Sequence, residues 1–122
     1  MAKGKQALPF DKRGGTVVIC RHLLNSEAYA ALKPQAKVLM QLMHEHWQNT
    51  KPVSYGVREA AKKIPCDDKT VMKCFDALQE LGFIECVRQS KFNSGKAGSH
   101  ARDWRLTWLP YKSEKPTNEW DK

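Results

Sequence analysis

Lys69, Thr70 and Lys73 stand at i, i+1 and i+4 in the run DDKTVMKCFDALQELG, a spacing that sets the two lysines on one side of a helix. These side chains donate hydrogen bonds, and the lysines carry positive charge. The chemistry open to them is pairing with anionic oxygens and with the polar edges of flat heterocycles. A second basic group follows: Arg88, Lys91, Lys96, Arg102 and Arg105 against the single acid Asp103, a net charge of +4 over residues 88–105. Residues 1–13 and residues 51–73 each carry a further +3. The chain as a whole has 21 Lys and Arg against 13 Asp and Glu, net +8, which favours a polyanionic partner while saying nothing of the fold. Asp76, Glu80 and Glu85 would be repelled by phosphate, so such a partner should meet the amino-terminal half of this helix.

Bond-making chemistry finds no comparable set. There is no GxxxxGK[ST], and the serines lie in caps or loops without a His and Asp to activate them. SGKAGS at residues 94–99 suggests a phosphate loop, but it lacks the glycine spacing and the following helix. Cys20, Cys66, Cys74 and Cys86 include no CxxC pair. The expectation is reduced thiols, with Cys20, Cys74 and Cys86 as small apolar residues and Cys66 exposed in a turn. His44 and His46 point in different directions on a helix, with His46 at the core edge. The reading is of a non-enzymatic protein without metal or cofactor.

The elements that must position the basic residues follow from periodicity. Val57, Ala60, Ala61 and Ile64 make a narrow apolar stripe on a short helix, and Pro65 breaks the chain after it. Asp67 or Asp68 caps the next helix, and Gly82 ends it at C′. Val71, Cys74, Phe75, Leu78 and Leu81 face inward, leaving Lys69, Thr70, Met72, Lys73 and Asp76 outside. Two short helices with so tight a turn suggest a helix-turn-helix whose second member presents side chains to a major groove. Residues 84–90 and ARDWRLTWL then alternate as a hairpin, with Trp104, Leu106 and Trp108 inward and Arg105 and Thr107 outward; KFNSGKAGSH is its turn.

Upstream, GTVVICRHLL is β-rich and is expected to pair with that hairpin. Asn25 or Ser26 caps a brief helix through Leu32. Pro34 opens a longer one in which Leu39, Leu42, Met43 and His46 share a face widened by Val38 and Trp47. The order expected is strand, helix, helix, strand or extended link, helix, helix, strand, strand, an α+β fold of three to four helices on a small antiparallel sheet.

The runs LLNSEAYAALKPQAKVLMQLMHEHW, SYGVREAAKKI, DDKTVMKCFDALQELGFIECV and ARDWRLTWLP together resemble bacterial and phage winged-helix proteins over about residues 14–110. The resemblance extends to the winged-helix domains of plasmid replication initiators and of many transcription regulators. It implies double-stranded DNA as partner, with the helix at about 67–81 in the major groove and the hairpin at about 88–105 as a basic wing. Lys73 and Thr70 would touch bases, and Lys69, Lys91, Lys96 and Arg102 would neutralise phosphate. Asp68 either accepts from a cytosine amino group or caps the helix, and Ser54 and Tyr55 would bind phosphate at the preceding helix's start. The process expected is transcriptional regulation on a phage or mobile element, as a homodimer on a palindromic site. Replication-origin binding is the alternative. So is a module that inhibits a host nucleoprotein complex, whose mark would be protein binding that survives loss of Lys69 and Lys73. RNA is disfavoured, because few aromatics are expected to be exposed for stacking.

Residues 1–13 read as a basic arm, 14–111 as the domain and 112–122 as a polar tail in which Trp120 must cover something, either the domain or a second subunit. With no signal-peptide core and no run of the ~20 apolar residues a membrane span requires, the expected location is cytoplasmic, at the nucleoid.

Overall fold

In the computed structural model, residues 14–89 and 102–121 are described, with the side chains of Arg88 and Gln89 left aside. The basic arm at 1–13 and the hairpin tip with Lys91 and Lys96 lie outside the described residues. The elements run α1 (Arg21–Leu24), α2 (Glu27–Ala30), α3 (Pro34–Glu45), β1 (Val53–Ser54), α4 (Val57–Lys63), α5 (Asp68–Glu80), β2 (Ile84–Gln89) and β3 (Arg102–Leu106), with a 3-10 turn at Glu119–Asp121. This is an α+β fold in which the described residues form five helices, where three or four are expected, and a three-stranded antiparallel sheet of order β1-β3-β2.

Local signals set most helix ends. The Ser26 hydroxyl accepts from the Tyr29 amide at 3.1 Å and opens α2, while Pro34 occupies the first turn of α3, where its missing amide hydrogen costs nothing. Asp67 caps α5 by accepting from the Thr70 amide at 2.8 Å, so Asp68 is free of that duty. Past the other end of α5, Gly82 takes φ +88, a left-handed conformation that glycine reaches without a Cβ clash.

The core forms where α5 packs on α3, α4 and β2. Val71, Cys74, Phe75 and Leu78 of α5 are buried with Leu39, Met40 and Met43 of α3, Ala60 of α4, Ile84 of β2, and Trp104 and Leu106 of β3. Phe75 stacks on Trp104, ring centroids 5.5 Å apart and planes at 16°, which joins the helix to the middle strand. Trp104 faces Val53 across β1 and Cys86 across β2.

The structure departs from several expectations. Residues 16–20 form no strand: the chain is irregular there and turns into α1, leaving Val17 and Val18 exposed, and the third strand is instead Val53–Ser54. Thr107 does not face outward, because β3 stops at Leu106. Its buried hydroxyl donates 2.6 Å to the Gly82 carbonyl. His46 caps the end of α3 and is exposed, whereas His44 is buried and its Nδ1 accepts from the Trp108 indole at 3.4 Å. The cysteines also trade places: Cys20 is exposed, and Cys66 packs partly buried against the core.

Residues 107–121 return over the domain instead of trailing from it. The Trp47 indole donates to the Pro110 carbonyl at 2.9 Å, and the Asn118 amide donates to that of Thr107 at 2.9 Å. Trp120 is buried, stacked on Phe83 at 5.8 Å, so what it covers is the domain itself.

Burial lowers the pKa of His44, because charging the imidazole would require desolvating it. The unfolded chain therefore takes up a proton at His44 at higher pH than the folded one does. The contribution of His44 to stability is complete above its ordinary value of 6.5 and declines as pH falls from there toward the lower folded value. Urea melts between pH 8 and pH 5 should show this loss, and a His44→Gln variant should lack that part of the pH dependence.

Candidate functional site

The outer side of α5 gathers the residues that the sequence singles out. Asp68, Lys69, Met72, Lys73 and Asp76 are all exposed, while the opposite side of the helix is sealed into the core. The carboxyl of Asp67 is held below the usual carboxylate range, first by a hydrogen bond from the Thr70 side chain and then by one from its amide, with Lys69 and Lys73 adding to the effect. The first turn is thus pinned by an ionised cap, and Lys69 in that turn and Lys73 in the next are exposed. Thr70 stands differently from expectation. It is half-buried with its hydroxyl turned to Asp67, which makes it a capping partner more than an outward donor.

On α4, Arg58, Lys62 and Lys63 are exposed, Lys62 and Lys63 in its last turn, and the chain reaches α5 through residues 64–67. The Cys66 amide bonds the Ala61 carbonyl at 2.9 Å and holds that turn closed. Lys62 and Lys63 at the end of α4 and Lys69 in the first turn of α5 therefore lie on either side of a fixed corner, with the exposed acids Asp67 and Asp68 between them in the chain.

Tyr55 does not belong to an outer surface. It is 3% exposed, tilted against the His46 ring at 5.2 Å, and its hydroxyl makes no hydrogen bond among the described residues. Burial raises its pKa, with the carboxylates of Glu59 and Glu45 adding to the shift. Contrary to expectation, so enclosed a ring presents no surface from which to contact phosphate. Ser54 is exposed and lines an open polar cleft of about 680 Å³ with His46, Lys51, Asp103, Tyr111 and Lys112.

Arg102 begins β3, half-buried, with its guanidinium 5.9 Å from the Trp104 ring centroid. Arg105 is already engaged: its guanidinium lies 3.6 Å from the Glu114 carboxylate, 3.3 Å from the Lys115 carbonyl and 5.1 Å from the Tyr111 ring centroid. That charge serves the returning carboxyl-terminal segment, which sequence reading missed because Glu114 and Tyr111 carry no local sign of docking there.

Among the described residues no cluster of three His, Cys, Asp or Glu side chains could hold a metal ion, and no helix is long and apolar enough to cross a membrane. The Cys74 thiol is pushed up by burial and by nearby Cys66, against a smaller opposing effect of Lys33. Comparison with protein-family models, with curated proteins and with solved structures gave no match. The chain's own residues therefore carry the functional reading.

Proposed function

We propose that the protein binds double-stranded DNA sequence-specifically as a winged helix, with α5 entering the major groove by its amino-terminal half and residues 88–105 gripping the adjacent backbone as the wing. The observation that carries this reading is the exposed set Lys69, Met72 and Lys73 on the first turns of a helix whose other side is core. A helix anchored in this way can be held rigidly against a groove. The element order supports it as well, since the pair α4–α5 is followed directly by a basic hairpin. Within the reading, Lys73 touches a base edge, and Lys69, Arg102, Lys91 and Lys96 neutralise phosphates. The process is transcriptional regulation on a phage or mobile element, by a homodimer at the host nucleoid.

Selection from random duplex DNA at a stated salt concentration tests the proposal. A recovered motif with two-fold symmetry is the expected result, and no enrichment above background at low salt would overturn it. On the recovered site, Lys73→Ala should lower discrimination between sites by about 1–3 kcal/mol. Lys96→Ala should weaken binding to all sequences alike and flatten the salt slope by about one unit.

A further inference from the structure

Met72 is 55% exposed, a large apolar side chain set in water on the outer face of α5. It is one residue from Lys73, three from Lys69 and four from Asp76, so it shares a turn with both lysines. Other exposed large apolar residues among the described ones lie away from α5, Val17 and Val18 in the irregular segment before α1 and Leu24, Val38 and Val87 on α1, α3 and β2. Any docking that brings Lys69 and Lys73 onto DNA together must also remove Met72 from water. Against an amino group or a carbonyl oxygen, the thioether would desolvate a polar atom and offer no adequate partner. Against the C5-methyl of thymine it would bury apolar surface on both sides. The flexible, unbranched methionine chain can follow that methyl along the groove wall.

We infer that Met72 is a specificity-determining residue that reads a thymine methyl in the major groove, beside the base or phosphate contacts of Lys69 and Lys73. The inference rests on the DNA-binding reading above and gives that site a base preference. Lysines alone cannot detect that methyl, because thymine and uracil present the same hydrogen-bonding atoms to them.

The test uses the duplex enriched from random DNA, with each thymine replaced in turn by deoxyuridine, which removes the methyl and leaves the hydrogen-bonding edge unchanged. The full chain should lose about fourfold in affinity at one or two positions, the effect of exposing one methyl-sized apolar group. Met72→Ala should bind the thymine duplex about fourfold more weakly than the unsubstituted chain and be indifferent to deoxyuridine at those positions, while Met72→Leu should restore the discrimination. An unsubstituted chain indifferent to every replacement, a Met72→Ala variant that keeps the full discrimination, or an enriched duplex without thymine would overturn the inference and leave DNA binding standing. Failure to enrich any duplex would overturn both.

Discussion

Trp104→Ala should destabilise the fold by about 3–5 kcal/mol, the range for truncating a buried aromatic that leaves a cavity. Trp104 is 2% exposed at the centre of the sheet, stacked on Phe75 and paired in register with Val53 on one side and Cys86 on the other. The lost ring would take with it the contact that sets α5 on β3. Since domains of this kind are stable by only about 5–15 kcal/mol, the variant should melt at markedly lower urea concentration. Under the proposed function, binding to the selected duplex should weaken as well, because the lysine-bearing face is aimed from this contact. A midpoint within experimental error of the parent would show that the stack does not organise the core.

Gly82→Ala should cost roughly 2–5 kcal/mol, through two separable causes. The first is backbone: at φ +88 an L side chain crowds its own carbonyl, for about 1–2 kcal/mol. The second is steric: a Cβ at Gly82 would fall 2.8 Å from the Glu119 carbonyl carbon and 2.9 Å from the Trp120 nitrogen, and moving them costs about 1–3 kcal/mol. Because the clash is with backbone, no rotamer change can relieve it. Thermal melts of Gly82→Ala in the full chain and in a chain ending at residue 117 should divide the two, the shorter chain showing only the backbone part. Equal costs in both backgrounds would mean that the carboxyl-terminal segment does not press on this corner.

The parts of the molecule that could be read in advance are those whose causes are local. The bounds of α5 could be read to within a residue because Asp67 and Gly82 act on their immediate neighbours through a cap and a left-handed turn. Its buried side could be read because Val71, Cys74, Phe75 and Leu78 repeat at the helical period. The errors arise where distant contacts decide. Residues 16–20 have β-prone side chains but no strand beside them, since Val53–Ser54 occupies that edge of β3, and a two-residue strand is too short to show a period.

Thr107 and His46 fail for a related reason. Each was assigned a side by extending a period one step past the end of its element, after Leu106 in the one case and Glu45 in the other. Tyr55 follows β1 directly, and its burial comes from joining the core cluster and the His46 ring, contacts that no local pattern announces. The candidate site divides in the same way. Lys69 and Lys73 are visible from spacing alone, while the capture of Thr70 by Asp67 and of Arg105 by Glu114 depends on side-chain geometry.

In the proposed function the first turns of α5 form the face that meets DNA. It is tested most directly by following backbone amide resonances of the full chain as the selected duplex is titrated in. The largest changes are expected at residues 68–73 and at Arg102 and Asp103, with α1 and the inner residues of α3 little affected. Changes confined to His46, Lys51 and Lys112 around the sheet cleft, with residues 68–73 unmoved, would contradict it.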